Sequence, residues 1–92
     1  MALEGNWLNK SDYMELVSDT GKVELVYSAK NVNIVAANPS LISVSLDGET
    51  HTSFETGEEQ LYPVVEGESY GTHHLEMSIS GKGFRLYTFT FG

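Results

Sequence analysis

Three histidines, His51, His73 and His74, are the side chains of this sequence best suited to metal ligation or proton transfer. His73 and His74 are adjacent, and adjacent side chains on a strand point to opposite faces. At most one of the two can therefore join any single site. A zinc site would also need carboxylate ligands and groups that orient them. We expect the three histidines to be solvated or half-buried strand residues.

The 13 acidic residues could provide general acid catalysis or oxygen ligands for a cation. Glu58-Glu59 and Glu66-Gly67-Glu68 are neighbouring carboxylates, but acid catalysis needs a carboxyl whose pKa is raised by burial. Their flanking residues are polar, so we expect these carboxylates to be solvated. Loop carboxylates and carbonyls also bind calcium. The candidate ligands for one structural calcium ion, which match no loop consensus, are Asp12, Asp19, Asp47 and Glu49.

Aromatic side chains indicate the remaining chemistry, which is sugar binding. A pyranose ring stacks its C–H face on an exposed aromatic ring, while amides and carboxylates bind its hydroxyl groups. Tyr70, between Gly67 and Gly71, is expected to be the most exposed tyrosine. Trp7 is instead expected to fill the core. The candidate ligand-binding residues are Tyr70, Tyr13, Tyr62, Asn6, Asn9, Asp12 and Glu68.

Several classes of enzyme lack the residues that they require. The chain has no cysteine, which excludes a disulfide framework, a thiolate zinc site, a CxxC redox centre and a cysteine nucleophile. Gly81-Lys82-Gly83 lacks the Walker spacing, and no Gly-x-Ser-x-Gly turn is present. We therefore expect no catalytic residue.

The net charge of −8 argues against several partners. Nucleic-acid binding needs clustered Lys and Arg, whereas the five basic residues here are dispersed. The longest apolar run is far shorter than the ~18 residues that span a bilayer. The chain does not begin with a basic segment followed by an apolar segment, which is the pattern of a secretory signal peptide. We expect no nucleic-acid partner, no membrane insertion of this module and no signal peptide.

Short strands must position these residues. Turn signals recur along the chain, and the segments between them alternate apolar and polar residues. No segment has helical periodicity, and the near-even spacing predicts an antiparallel sandwich or barrel. The main alternating segments are Val23–Tyr27, Val32–Ala36, Ile42–Leu46, Leu75–Ile79 and Tyr87–Phe91.

Local features refine three of these strands. Asp47-Gly48 predicts a type I′ hairpin turn. Pro63 predicts that its strand is an edge or is broken there. Leu86 and Tyr87 belong to opposite alternating sets, which predicts a bulge or bend near Arg85.

The closing strand is expected to belong to the core. Tyr87, Phe89 and Phe91 alternate with Thr88 and Thr90, so the three aromatic rings share one face. We expect Phe89 and Phe91 to be buried, together with Tyr87 and Tyr27.

The order of short motifs supports a family resemblance. The chain opens with Leu3-Glu4-Gly5-Asn6-Trp7 and closes with Tyr87-Thr88-Phe89-Thr90-Phe91-Gly92. Between them stand Tyr13, Val23-x-Leu25-x-Tyr27-x-Ala29, Val32-Asn33-Ile34-Val35, Leu46-Asp47-Gly48 and Leu61-Tyr62-x-Val64-Val65. This order resembles the C-terminal domain of DipZ-type proteins, apart from a short stretch over Thr50–Gln60 and the presence of Pro63. In that family a membrane CcdA-like part and a thioredoxin-like domain precede a β-sandwich similar to carbohydrate-binding modules.

The resemblance implies an all-β fold, a single antiparallel β-sandwich of the jelly-roll, carbohydrate-binding-module-like type. It implies that residues 1–92 form one module, the C-terminal part of a larger thioredoxin-like protein, in an extracytoplasmic place (periplasmic or cell-surface). Apart from the calcium ion, no cofactor is expected. The thioredoxin CxxC is absent from this chain, so redox chemistry cannot be assigned to it.

Two functions follow from the resemblance. The first is a non-catalytic accessory binding module, with a glycan ligand, attached to or working with a thioredoxin-like thiol-disulfide oxidoreductase. The alternative is a purely structural or protein-interaction sandwich without a sugar ligand. A face carrying Thr, Ser and Val without aromatic residues would favour that alternative.

Overall fold

The fold consists of β-strands joined by short turns, and the computed structural model describes residues 1–92. The strands are β1 (Ala2–Glu4), β2 (Trp7–Asn9), β3 (Met14–Leu16), β4 (Thr20–Ala37), β5 (Ser40–Leu46), β6 (Glu49–Thr56), β7 (Gln60–Ser80) and β8 (Arg85–Phe91). All strand pairs are antiparallel. There is no helix, and thus none that is long and apolar enough to cross a membrane. The all-β prediction is confirmed.

Two long strands form the centre of the fold. β4 has 18 residues, β7 has 21, and the two pair along nearly their whole length. The sequence predicted shorter strands here, separated by turns. These turns are instead one wide bulge, because Ala29 pairs with Gly71 while Asn31 pairs with Glu66. Residues 67–70 therefore stand opposite Lys30 alone.

The bulge divides β4 and β7 into halves that have different neighbours. The first half of β4 pairs with β1 on one side and with the second half of β7 on the other. The second half of β7 also pairs with β5, and β5 pairs with β6. We call these strands the β5 layer. The second half of β4 pairs with the first half of β7 on one side and with β8 on the other. β8 also pairs with β3, and β3 pairs with β2. We call these strands the β8 layer.

The core lies between these two layers. On β4 the buried positions change from odd residues such as Val23 and Tyr27 to even residues such as Ile34 and Ala36, on either side of the bulge. Side chains from both layers join one cluster of 17 buried residues. The hydrogen-bonded sheet is thus folded over into an antiparallel sandwich. Trp7 packs against this cluster while partly buried, with its ring edge-on to Phe84 at 6.3 Å.

The closing strand differs from the prediction. Phe84 and Leu86 are buried, Tyr87 and Phe89 are half-buried, and Phe91 is 48% exposed. A register shift leaves Tyr87 unpaired, so the bulge predicted near Arg85 lies at Tyr87. Full burial of Tyr87, Phe89 and Phe91 was therefore a wrong prediction. Phe91 stands at the strand end, where it packs on the buried Tyr27 ring at 5.8 Å and on Phe89 at 6.1 Å while about half of its surface stays in solvent.

Two other local predictions are confirmed. Asp47 and Gly48 both have positive φ, at 53° and 84°, as a type I′ turn requires. The part of β7 that contains Pro63 pairs only with β4, so it is an edge. A register shift next to Pro63 also interrupts the regular pairing, which accommodates the missing N–H.

Candidate functional site

A groove of about 260 Å³ lies where the β2–β3 loop meets β8. The loop closes through a backbone hydrogen bond from Lys10 N to Tyr13 O of 2.8 Å, and β3 then pairs with β8. This pairing brings residues near position 10 against residues near position 87. We call this groove the Tyr13 groove. The residues that line it include Asn9, Lys10, Asp12, Tyr13, Tyr87 and Thr88.

Two tyrosine rings form the aromatic part of the Tyr13 groove. The Tyr13 and Tyr87 ring centroids are 5.2 Å apart at an interplanar angle of 50°. The Arg85 guanidinium lies 4.5 Å from the Tyr13 ring centroid, and Arg85 Nε donates to Glu15 Oε1 at 3.0 Å. Such a cation over an aromatic ring is attracted by the negative ring face. Arg85 thus covers one face of Tyr13 and fixes the orientation of the ring.

Neighbouring groups shift the pKa of Arg85 and that of Tyr87. Interaction with the Tyr87 hydroxyl, and then with Glu15, raises the pKa of Arg85. Hydrogen bonding to Glu59, and then desolvation, raises the pKa of Tyr87, while Arg85 acts in the opposite direction. The Tyr87 hydroxyl therefore stays protonated at neutral pH and can donate a hydrogen bond.

The polar rim of the Tyr13 groove contains three of the predicted ligand-binding residues. Asn9 and Asp12 are exposed, and Tyr13 is half-buried beside them. Tyr87, Thr88 and Arg85 were missed by sequence reasoning because the alternation placed Tyr87 in the core. The parity change at Leu86 and Tyr87 was the one signal that could have revealed them.

The other predicted ligand-binding residues lie elsewhere. Tyr70 is 73% exposed, as predicted, and stands with Glu68 on the bulge of β7. Neither residue lines a groove. Asn6 is exposed in the turn between β1 and β2, where its backbone N–H donates to Ser18 Oγ at 3.0 Å.

Tyr62 was predicted to bind a ligand, but it lies in the core. Its side chain is buried, with 8% exposure, and its ring stacks on Phe54 at a centroid distance of 6.0 Å. Its hydroxyl donates to Glu58 O at 2.6 Å and accepts from Gly57 N at 2.9 Å. Tyr62 therefore holds the turn between β6 and β7, and its ring face is not available to a ligand.

The four candidate calcium ligands do not converge. Asp12 lies in the Tyr13 groove, Asp19 precedes β4, and Asp47 and Glu49 flank Gly48 in the hairpin turn. No group of three or more His, Asp or Glu side chains is placed to hold a metal ion. Calcium held by fewer side chains and by backbone carbonyls stays a prediction.

Asp47 instead binds the two adjacent histidine residues. Its Oδ2 lies 2.5 Å from His73 Nδ1, and its Oδ1 accepts from the His74 backbone N–H at 2.8 Å. The His74 side chain points elsewhere and lies 3.7 Å from Glu24. The expectation that only one of these histidine side chains joins a given site is confirmed.

Hydrogen bonds at Asp47 favour its charged form. The bond from the His74 backbone, and then that from His73, lower the pKa of Asp47. The His73 ring also contacts Tyr27, whose buried hydroxyl has no hydrogen-bond partner and whose pKa is raised by burial. Asp47, His73 and Tyr27 connect the hairpin turn to β7 and β4, and none of these three side chains lines a groove.

A larger groove of about 430 Å³ opens on the outer face of the β5 layer. We call it the serine groove, because the hydroxyl groups of Ser43, Ser78 and Ser80 lie in it. Lys22 joins them and binds Glu76 at 2.9 Å, which raises the pKa of Lys22. No aromatic side chain lines the serine groove. The serine groove thus has the Thr and Ser residues and the lack of aromatic rings that the structural or protein-interaction alternative predicts, with Leu41 and Ile79 in place of valine.

Comparison with known proteins identifies the family of this chain. The family described as "Thioredoxin like C-terminal domain" matches residues 1–92. The chain belongs to this family. It is also 33% identical over 93 residues to the protein DipZ of Mycobacterium bovis and to that of Mycobacterium tuberculosis. The match covers 99% of this chain but 13% of either DipZ protein.

Solved structures confirm the sandwich fold. A family two carbohydrate esterase from Clostridium thermocellum in complex with cellohexaose superposes with a TM-score of 0.85 at 16% identity, over 99% of this chain and 31% of the esterase chain. A family two carbohydrate esterase from Cellvibrio japonicus gives 0.82 at 14% identity, over 98% and 30%. Identities this low show the fold alone. The carbohydrate-binding-module-like β-sandwich predicted from the sequence is confirmed.

Proposed function

We propose that this domain is a non-catalytic accessory module that binds a glycan in the Tyr13 groove. It would work beside a thioredoxin-like thiol-disulfide oxidoreductase in an extracytoplasmic place. The single observation that supports the proposal is the Tyr13–Tyr87 ring pair, set 5.2 Å apart beside the Asn9 amide and the Asp12 carboxylate. This combination offers an aromatic surface to sugar C–H groups and polar groups to sugar hydroxyls.

The expected affinity is modest. Ring stacking on a half-buried tyrosine and a few hydrogen bonds in competition with water contribute about 4 to 6 kcal/mol. That free energy corresponds to a Kd between about 1 mM and tens of micromolar. Arg85 already covers one face of Tyr13, so a sugar has at most the other face and the Tyr87 ring.

Titration of the ¹⁵N-labelled domain with neutral glycans of plant and bacterial cell walls, followed by NMR, tests the proposal. Cellohexaose is a suitable first ligand because one structural neighbour was solved with it. We expect shifts at residues 9–14 and 85–89, and Tyr13→Ala should weaken binding by about tenfold or more, or about 1.4 kcal/mol.

Tyr70→Ala is the matched control, because it removes an exposed tyrosine from outside the groove. Its Kd should equal that of the unsubstituted domain. If Tyr70→Ala abolishes binding and Tyr13→Ala does not, the ligand binds at the β7 bulge and the proposed site is wrong.

The alternative, a structural or protein-interaction domain, is supported by the serine groove and its lack of aromatic residues. It predicts no shifts with any glycan at millimolar concentration. It further predicts shifts at Ser43, Ser78 and Ser80 when a thioredoxin-like domain is added to the same sample.

A further inference from the structure

We propose that the Tyr13 groove selects uncharged glycans and rejects acidic ones such as uronates and sulfated sugars. This inference depends on the proposed function and specifies its ligand class. It is based on the positions of the charged groups around the groove and on what each of them already binds.

Arg85 is the residue that would be best suited to bind a sugar carboxylate, because its planar fork binds carboxylates through paired hydrogen bonds. Part of that fork is already engaged. Its Nε donates to Glu15 Oε1 at 3.0 Å, and its guanidinium lies over the Tyr13 ring. A sugar carboxylate at Arg85 would have to share the guanidinium with the Glu15 carboxylate. Two carboxylates beside one guanidinium repel each other, which opposes binding of an acidic sugar.

Lys10 is the other cation of the groove and forms no salt bridge. It is an exposed side chain in the same loop as Asp12, whose negative charge offsets it. Glu59 adds a further negative charge beside Tyr87. Two cations, Lys10 and Arg85, thus face three carboxylates, Asp12, Glu15 and Glu59.

The rest of the molecule adds to this imbalance. The chain has a net charge of −8, and Lys22 on the β5 layer is occupied by Glu76 and Glu4. Charges within a Debye length of about 8 Å act at physiological ionic strength, so Asp12 in the groove, together with Glu15 and Glu59 near it, repels an approaching anion. A neutral sugar meets no such penalty and can bind the Asn9 amide, the Thr88 hydroxyl and the Asp12 carboxylate through its own hydroxyl groups.

The test compares each neutral hexasaccharide that binds with its C6-oxidised uronate counterpart of the same linkage and length. NMR titration of the unsubstituted domain at about 20 mM NaCl should give a Kd for the uronate at least about tenfold weaker. At about 300 mM NaCl the ratio of the two Kd values should shrink, because salt screens the repulsion.

Charge variants test the cause of the selection. Glu59→Gln should bring the two Kd values closer together, whereas Glu55→Gln on β6, outside the groove, should leave their ratio unchanged. A uronate that binds as tightly as the neutral sugar, with shifts at Tyr13 and Tyr87, overturns the selectivity and leaves the proposed function standing. If no neutral glycan shifts the resonances of the groove, the proposed function itself fails, and the selectivity fails with it.

Discussion

At the scale of single residues, the molecule separates aromatic side chains that build the fold from those that face a groove. Tyr62 and Tyr27 are both buried, and Tyr62 has hydrogen-bond partners at its hydroxyl while Tyr27 has none. Tyr13 and Tyr87 are half-buried and are held by a charged neighbour, Arg85. A half-buried ring with a fixed orientation costs little side-chain entropy when a ligand binds. This property makes the Tyr13 groove a better candidate binding site than Tyr70, which is 73% exposed and lines no groove.

Asp47 gives a prediction for acid conditions. Because folding lowers its pKa, the unfolded chain binds more protons than the folded chain as pH falls below the ordinary Asp value of 3.8. The stability contributed by Asp47 is therefore present above that pH and is lost as pH falls through the lower folded pKa. Asp47→Asn should show a shallower loss of Tm between pH 4.5 and 2.5, measured by thermal circular dichroism.

Asparagine is a suitable replacement because it tolerates the positive φ of 53° at this turn. Glu55→Gln, an exposed residue that forms no salt bridge, serves as the control for loss of one negative charge. If Asp47→Asn and Glu55→Gln follow the same Tm curve as the unsubstituted chain, Asp47 has no role in acid stability.

At the scale of elements, the wide bulge in β4 and β7 determines the architecture. Without it, each long strand would keep one alternation throughout and could not contribute its buried face to both layers. Gly67 is required at the bulge, because a Cβ built there would lie 2.5 Å from the backbone oxygen of Lys30. A backbone oxygen cannot swing aside as a flexible side chain can, so the two strands would have to separate locally.

Gly67→Ala should therefore lower the free energy of unfolding by about 1 to 3 kcal/mol, the usual cost of overpacking. Gly57→Ala is the matched control, since no atom lies within 4 Å of a Cβ built at Gly57 and its φ is not positive. It should change stability by less than about 0.5 kcal/mol. Urea unfolding followed by tryptophan fluorescence measures both, and equal effects of the two substitutions would contradict the close approach at Gly67.

At the scale of the whole molecule, the pairing of β4 with β7 joins both layers and carries the core. The outer strands are short or exposed: β1 and β2 have 3 residues each, and β6 is exposed over most of its length. Opening of the molecule should therefore begin at these outer strands and reach the β4–β7 pair last.

Hydrogen exchange followed by NMR should show this order. The slowest amides are expected in the segments that pair with a strand on each side, which are 22–24 and 32–36 of β4 and 75–79 of β7. Amides of β1, β2 and β6 should exchange much faster. Uniform protection across all eight strands would mean that the sandwich opens only as one unit.

The features that the sequence alone determined are local in origin. Alternation over a few residues located the main strands, Asp47-Gly48 specified the turn, and Pro63 marked an edge. Each depends on backbone preferences of neighbouring residues, which are the same in any fold. The order of motifs across the chain also carried the family and, with it, the sandwich fold.

Only the tertiary structure decided which side chains share a groove. Glu15 and Arg85 are 70 residues apart in the chain, and the Tyr13–Tyr87 ring pair forms because β3 lies beside β8. The bulge at Tyr87 moved that ring from its predicted core position toward the groove, and the bulge opposite Lys30 joined segments that read as separate strands. A register shift of one residue exchanges the two faces of a strand, and register is set by the partner strand. Local alternation therefore indicated a bulge near Arg85 but not which ring would leave the core.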